Sequence, residues 1–425
     1  MPGTMLFTMI VAFALSISVA VAIGIASLIG AWQANLNFLT VVKEMFGALN
    51  KFPLAAIPFF ILAGNLMESG GISARLVEFA KSIVGGIQGG LAATCVLTCM
   101  IFAAVSGSSV ATTFAIGAIL IPALIKHGYP TNHAAALQAT SAELGVIIPP
   151  SIPMILYGVS AEVSIGELFI AGVGPGLLIG AALMVFVVVY ARWKGYGKGD
   201  HEGRLPFFVA TRKAALALLM PVIILGGIYG GVFTPTEASV VAVFYALIVG
   251  VLVYRETKVS DLPRVLRKSV VSSAVIMFII ANAGLFSYLI TRAGVPALIG
   301  AALVDWLQSP AVFLLGVNLA LFLIGMFIET SASIIVLAPI LAPVAQHFGI
   351  DPVHFGIVMV VNLALGMITP PFGVNLFAAC TVARIPLEAV VTRLVPFVLV
   401  VFGCLMVITY FPIITIGLRD LVYAR

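Results

Sequence analysis

Two short segments hold the residue types and spacing that could do chemistry in this chain. One is Ser141-Ala-Glu-Leu-Gly145-Val-Ile-Ile-Pro149-Pro150-Ser151. The other is Asn362-Leu-Ala-Leu-Gly366-Met-Ile-Thr369-Pro370-Pro371-Phe372. Each lies in a long apolar run, where a Gly and two adjacent prolines interrupt a helix. Proline has no backbone N–H and clashes with the preceding turn. In lipid, such a break is tolerated only where protein, water or a ligand satisfies the freed backbone groups. Freed carbonyls suit a hard cation such as Na+; freed amides and the helix dipole suit an anion.

Each break is preceded by a polar tip between two apolar runs: Ser106-Gly-Ser-Ser109 before the first and Glu329-Thr-Ser331 before the second. The expected result is two pseudo-equivalent cation sites. One takes Ser106, Gly107 and Ser109 with Gly145, Ile148 and Pro150. The other takes Gly325, Met326 and Thr330 with Gly366, Thr369 and Phe372. A substrate sits between the tips, with Ser108, Thr112, Ser151, Glu329, Ser331, Asn375 and Arg384 as candidate contacts. The competing reading is a pair of structural kinks without ligands.

Glu143 and Glu329 are ionisable residues at membrane depth, hence functional candidates. Either can carry a proton, position a hydroxyl or balance a cation; either can equally cap a helix. Arg292 and Arg384, the nearest basic residue on each side of the second-half site in sequence, read as substrate contacts or headgroup anchors. His133 and His354 each begin a helix after a Gly turn, which favours capping or an interfacial position over metal binding.

Composition sets the class that must position these groups. Hydrophobic residues make up 62% and charged residues 9%, with mean hydropathy +1.22. A soluble domain of 425 residues needs far more charge on its surface. The chain is therefore an all-α polytopic membrane protein, with room for about ten spans and shorter re-entrant pieces. The net charge of +5 does not imply nucleic-acid binding, because the basic residues cluster in short loops between apolar runs. Cys95, Cys99, Cys380 and Cys404 lie in apolar segments and read as packing residues. No phosphate-binding Gly-x-x-x-x-Gly-Lys-[Ser/Thr] loop is present, which argues against ATP-driven transport. No nucleophile–base constellation points to an enzyme.

In order, residues 1–84 form a first scaffold. It comprises a span from Leu6 to Ile29, an interfacial amphipathic helix over 33–51, a span over 53–67 interrupted at Pro58, and a short helix over 72–84. On that helix Arg75 and Glu78 are spaced for a surface pair. Residues 85–160 hold a re-entrant hairpin and the first broken helix, with two ordinary spans as the alternative to the hairpin. Residues 161–213 are a span and polar linker. Residues 214–308 form a second scaffold with a short helix over 296–306. Residues 309–385 hold a second hairpin and broken helix, and 386–425 a final span.

The halves repeat. Gly366 minus Gly145 is 221, and so is Pro370 minus Pro149. In that register Pro122 falls on Pro343, Gly128 on Gly349 and His133 on His354. The orientation turns on residues 214–254. One crossing there inverts the second copy; two place both basic stretches on one side and leave the copies parallel. The residues leave both arrangements open; the inverted one requires that one of the two runs not cross fully.

Four motifs in order carry a resemblance that covers essentially the whole chain: Ser106-Gly-Ser-Ser109, Leu144-Gly-Val-Ile-Ile-Pro-Pro-Ser-Ile-Pro153, Phe233-Thr-Pro-Thr-Glu-Ala238 and Gly366-Met-Ile-Thr-Pro-Pro371. With them the chain resembles the large membrane subunit of tripartite ATP-independent periplasmic (TRAP) transporters of dicarboxylate or sialic-acid type. The resemblance implies inverted repeats, an elevator mechanism and Na+ coupling. It also implies a small four-span membrane subunit, a periplasmic substrate-binding protein that delivers an organic acid, and a multi-pass location in the bacterial inner membrane. Ala142-Glu143 departs from the family pattern, which is small or uncharged there. A stand-alone Na+/carboxylate symporter and an ion-conducting channel are the alternatives.

Overall fold

A computed structural model describes residues 1–15, 17–198, 204–298, 309–371 and 373–423. Every regular element among the described residues is helical. Among the described residues eight helices are long and apolar enough to cross a membrane, nine if a bent pair counts as one span. The protein is a multi-pass membrane protein.

The expected first span is instead two short helices, α1 (Pro2–Ala14) and α2 (Val19–Gln33). They pack antiparallel. Thr4 Oγ1 at the start of α1 donates to Gln33 Oε1 at the end of α2, at 2.6 Å. A Cβ on Gly30 would lie 2.4 Å from Met5 Sδ, so the Met5 side chain packs directly on the Gly30 backbone. The amphipathic helix is α3 (Phe38–Leu49), capped by Asn37. The next span contains α4 (Ala56–Ser69), and Pro58 does not interrupt it. It sits in the first turn, where its missing N–H has no helical partner to lose. On α5 (Ile72–Val84) the expected Arg75–Glu78 pair gives way to longer-range partners. Arg75 Nη2 is 2.7 Å from Glu256, and Glu78 Oε2 is 3.5 Å from Lys213 Nζ.

Hairpin 1 is α6 (Gly90–Ser106) and α7 (Ser109–Lys126). The first broken helix runs through α8 (Thr131–Ala142), the single turn α9 (Leu144–Ile147) and, after a 43° bend, α10 (Ile152–Ser160). A 30-residue span, α11 (Ile165–Lys194), closes the half.

The second half opens with α12 (Phe207–Tyr229) and α13 (Pro235–Leu247), the latter continued by a π-helical turn to Val253. Both are long and apolar enough to cross, against the expectation that one falls short. Next comes α14 (Leu262–Arg292), a single 31-residue helix. In the 221 register it covers both α3 and α4. Asn50 and Pro53 separate those two helices in the first half. Their counterparts, Val271 and Ala274, have no reason to break. The short helix expected at 296–306 lies largely outside the described residues.

Hairpin 2 is α15 (Pro310–Gly325) and α16 (Thr330–His347). The second broken helix is α17 (Pro352–Met367) and α18 (Val374–Ala383), then α19 (Glu388–Tyr410) and the amphipathic α20 (Ile413–Val422). The two halves interlock. Helix α10, beyond the first break, packs on α16 of hairpin 2, and α18, beyond the second, packs on α7 of hairpin 1. Tyr157 OH on α10 donates to the Pro352 carbonyl, 2.8 Å, at the start of α17.

Candidate functional site

The first break follows from its two prolines. The helical donors for the carbonyls of Gly145 and Val146 would be the N–H groups of residues 149 and 150, which proline lacks. Ser151 takes up one of them: its Oγ donates to the Val146 carbonyl at 2.6 Å and accepts from Met154 N at 3.4 Å, capping α10. The Ile152 N–H, which would close the turn on Ile148, goes instead to the Gly107 carbonyl of the hairpin tip, 3.3 Å away. Tip and break are thus joined through their backbones. Gly107 adopts φ 60°, and a Cβ there would also meet the Pro150 carbonyl at 2.9 Å. Gly145 lies under the same tip. A Cβ on it would sit 2.7 Å from Thr112 Oγ1 and 2.8 Å from the Ser108 carbonyl. Thr112 Oγ1 donates to that carbonyl at 2.8 Å and stands 3.0 Å from Ser106 Oγ. Ser106, Ser109 and Thr112 are buried, whereas Ser108 is half-buried.

The second break repeats the logic with different contacts. Pro370 and Pro371 remove the helical donors of Gly366 and Met367. Thr369 N turns back to the Gly366 carbonyl at 2.9 Å, and Thr369 Oγ1 donates to Leu365 O at 2.9 Å. The tip is brought in by a glycine pair. A Cβ on Gly366 would lie 2.4 Å from the carbonyl carbon of Gly325. Buried Thr330 points at the break, its Oγ1 2.8 Å from Met367 Sδ. Met326 follows Gly325 as the half-buried end of α15. Phe372 lies outside the described residues.

Glu329 is engaged as a helix cap. Its carboxylate accepts from Ser331 N (2.9 Å), Ala332 N (3.2 Å) and Ser331 Oγ (2.8 Å). Glu143 is different. It is buried, one carboxyl oxygen accepts from Asn375 Nδ2 on α18, and the other has no partner among the described residues. Arg384 is apart from the tips. It ends α18 in an exposed left-handed turn (φ 56°), about 13 Å along the helix from Asn375. Arg292 is likewise exposed, at the end of α14.

Both paired histidines are buried within the protein. His133 is buried and stacked on Tyr190, with centroids 5.1 Å apart. His354 is buried between Thr415 Oγ1 (2.8 Å from Nδ1) and the Thr409 carbonyl (3.2 Å from Nε2). The cysteines are buried free thiols, and Cys95 donates to Gln138 Oε1 at 3.1 Å.

One polar ladder went unread in the sequence. Asn362, one turn before Gly366, donates to the carbonyl (2.9 Å) and side-chain oxygen (2.8 Å) of Asn318 on α15. Asn318 donates to Thr409 Oγ1 at 3.0 Å. Two asparagines in otherwise apolar helices were the available signal.

Among the described residues no three His, Cys, Asp or Glu side chains converge. The donors on offer at both breaks are backbone carbonyls and hydroxyls, a set suited to a hard cation rather than a transition metal.

The family "Tripartite ATP-independent periplasmic transporter, DctM component" matches residues 5–414. The C4-dicarboxylate TRAP transporter large permease protein DctM of Pseudomonas aeruginosa is 44% identical over 377 residues, 89% of this chain and 88% of that protein. The sialic acid TRAP transporter large permease protein SiaM of Vibrio cholerae is 37% identical over 399 residues, 94% and 93% of the two chains. Among solved structures, the Alcanivorax borkumensis YdaH transporter aligns with TM-score 0.65 at 16% identity, covering 88% of this chain and 87% of that one. That likeness concerns the fold alone.

Proposed function

This chain belongs to the DctM family of tripartite ATP-independent periplasmic transporters, and from that premise we propose that it is the large permease of a Na+-coupled importer of organic acids. The substrate is a carboxylate of the C4-dicarboxylate or sialic-acid kind, the classes named for its relatives. A periplasmic binding protein delivers it, a small four-span subunit accompanies the chain, and the complex sits in the bacterial inner membrane. Hairpins and broken helices move together as an elevator against the scaffold spans.

The observation that carries this reading is the repeated seating of a Ser/Thr-bearing tip on a helix break. Na+ would be held at the first break by the carbonyls of Gly145 and Ile148 with the Ser106–Ser109 tip, and at the second by those of Gly366 and Thr369 with Thr330. Bound there, it supplies positive charge and fixes each tip on its break. The residues themselves bring amides and hydroxyls to an anionic substrate, since neither tip carries Arg or Lys.

The test is uptake in proteoliposomes with all partners present, with Na+ replaced by K+ or choline at fixed pH. Uptake must collapse; unchanged uptake refutes the cation sites. Uptake by this chain alone would favour a stand-alone symporter, and conductance without the binding protein a channel.

A further inference from the structure

A cleft of about 480 Å³ opens between the turn that follows α5 and the last third of α11. Its walls are Ile83, Ile87, Met184, Val185 and Val189, and Arg204 closes one end. Val185 and Val189 are 65% and 60% exposed. They lie on a helix long and apolar enough to span, so these walls face acyl chains rather than water. Trp193 and Lys194 end the same helix, with Lys194 Nζ 4.0 Å over the Trp193 ring. Such a pair marks the headgroup level, and Val189 lies about 7 Å deeper along the helix.

The Arg204 guanidinium is fixed at this place. Its Nε donates to the Ser82 carbonyl at 2.9 Å and its Nη2 bonds to the same oxygen. Its Nη1 lies over Gly86, where a Cβ would approach within 2.5 Å. The Ser82 carbonyl is neutral, and among the described residues no carboxylate pairs with the guanidinium and Nη1 has no acceptor. A cation at headgroup depth above an apolar, lipid-facing cleft matches an amphiphile with an anionic head. Arg192, Lys194, Lys198, Arg212 and Lys213 surround it in sequence, which assigns this end to the cytoplasmic leaflet, where anionic lipids are enriched.

We propose that this cleft is a binding site for an anionic phospholipid, with the phosphate on Arg204 and an acyl chain along Ile83, Ile87, Val185 and Val189. Guanidinium and phosphate match in charge and fork geometry. The site lies at the Gly85–Gly90 turn, where α5 hands over to the first arm of hairpin 1. A lipid seated there packs against the segment that joins α5 to hairpin 1. This inference does not depend on the Na+ reading.

The full chain, purified in detergent, is titrated with dioleoyl-phosphatidylglycerol or dioleoyl-phosphatidylcholine and followed by native mass spectrometry. Wild type should retain the phosphatidylglycerol at least about fivefold better, the scale of one basic residue at a charged surface. Arg204→Ala should lose that preference. Because it also frees the Ser82 carbonyl, Val189→Trp serves as a second variant, filling the cleft with Arg204 in place and weakening both lipids. Inorganic phosphate at equal concentration should displace neither. Equal retention of the two lipids by wild type, an unchanged preference in Arg204→Ala, unaltered binding in Val189→Trp or displacement by phosphate would each overturn the proposal.

Discussion

Glu143 and Asn375 are hydrogen-bonded to each other across the two repeats, both buried, one just before the first break and the other just after the second. Each keeps an oxygen without a partner among the described residues. Asn375→Ala takes away the single donor to a buried carboxyl group, a loss of about 2–3 kcal/mol. Glu143→Gln retains an acceptor for Asn375 and removes the ionisable group, so it should be as stable as wild type or more so. Thermal unfolding in detergent should rank Glu143→Gln at or above wild type and Asn375→Ala clearly below. An Asn375→Ala protein that melts with wild type would remove the bond from the list of contacts that hold the halves together.

The second tip depends on two glycines. A Cβ on Gly366 would sit 2.4–2.5 Å from the Gly325 backbone, which has no flexible end to yield. Gly366→Ala should therefore displace hairpin 2 and abolish uptake, at a stability cost of about 1–3 kcal/mol from overpacking. Gly316→Ala and Gly403→Ala meet nothing within 4 Å, and both should be slightly stabilising or neutral within helices. Comparable expression, melting and uptake in all three variants would contradict the close crossing.

What the sequence made legible were the features written as local chemistry. Pro149-Pro150 and Pro370-Pro371 mark both breaks because missing N–H groups act on the nearest turns. The tips were readable as polar residues between apolar runs. Hydropathy could not separate α1 from α2, since the sequence between them contains neither Gly nor Pro and stays apolar enough to pass as one span. Nor could it see that α14 fuses two elements that are separate in the first half. The Arg75–Glu78 spacing was locally sound, but tertiary packing brings Glu256 and the Tyr254 ring, 3.8 Å from the guanidinium, to Arg75 instead. The partner of Glu143 lies 232 residues away, beyond any periodicity.

The end of the chain gives a pH prediction. Arg419 on α20 is buried, with Nη1 2.8 Å from Asp351 Oδ2 and Nη2 2.7 Å from Asp420 Oδ1. Burial pushes the Asp351 carboxyl up, but the Arg419 hydrogen bond, the His354 and Val353 N–H groups and the guanidinium charge outweigh it and hold the group below its usual value. A depressed carboxylate contributes stability above its unfolded-state value, and that contribution is lost as pH falls through the lower folded value. The melting temperature should thus decline on acidification below the ordinary carboxylate range. Asp351→Asn should be less stable at neutral pH and show a shallower acid decline. An identical acid profile in the two proteins would show that another group governs it.

Thr369 offers a direct approach to the cation sites, because its hydroxyl can be removed while the backbone bonds at the break stay in place. Thr369 Oγ1 donates to Leu365 O one turn back, and Thr369 N closes on Gly366. Replacing the residue by Ala deletes the hydroxyl and leaves the N–H in place, so the break should persist. If that hydroxyl helps hold Na+, removing one ligand worth about 1.4 kcal/mol raises the Na+ concentration for half-maximal uptake about tenfold. The Ser109→Ala variant should act in the same direction through the first site. Both should melt within a few degrees of wild type, since the lost hydrogen bond contributes about 1 kcal/mol. The decisive comparison is Na+ activation against stability in the same preparation. A right-shifted activation curve with preserved melting supports liganding. An unshifted curve with reduced melting would leave these hydroxyls a structural role alone.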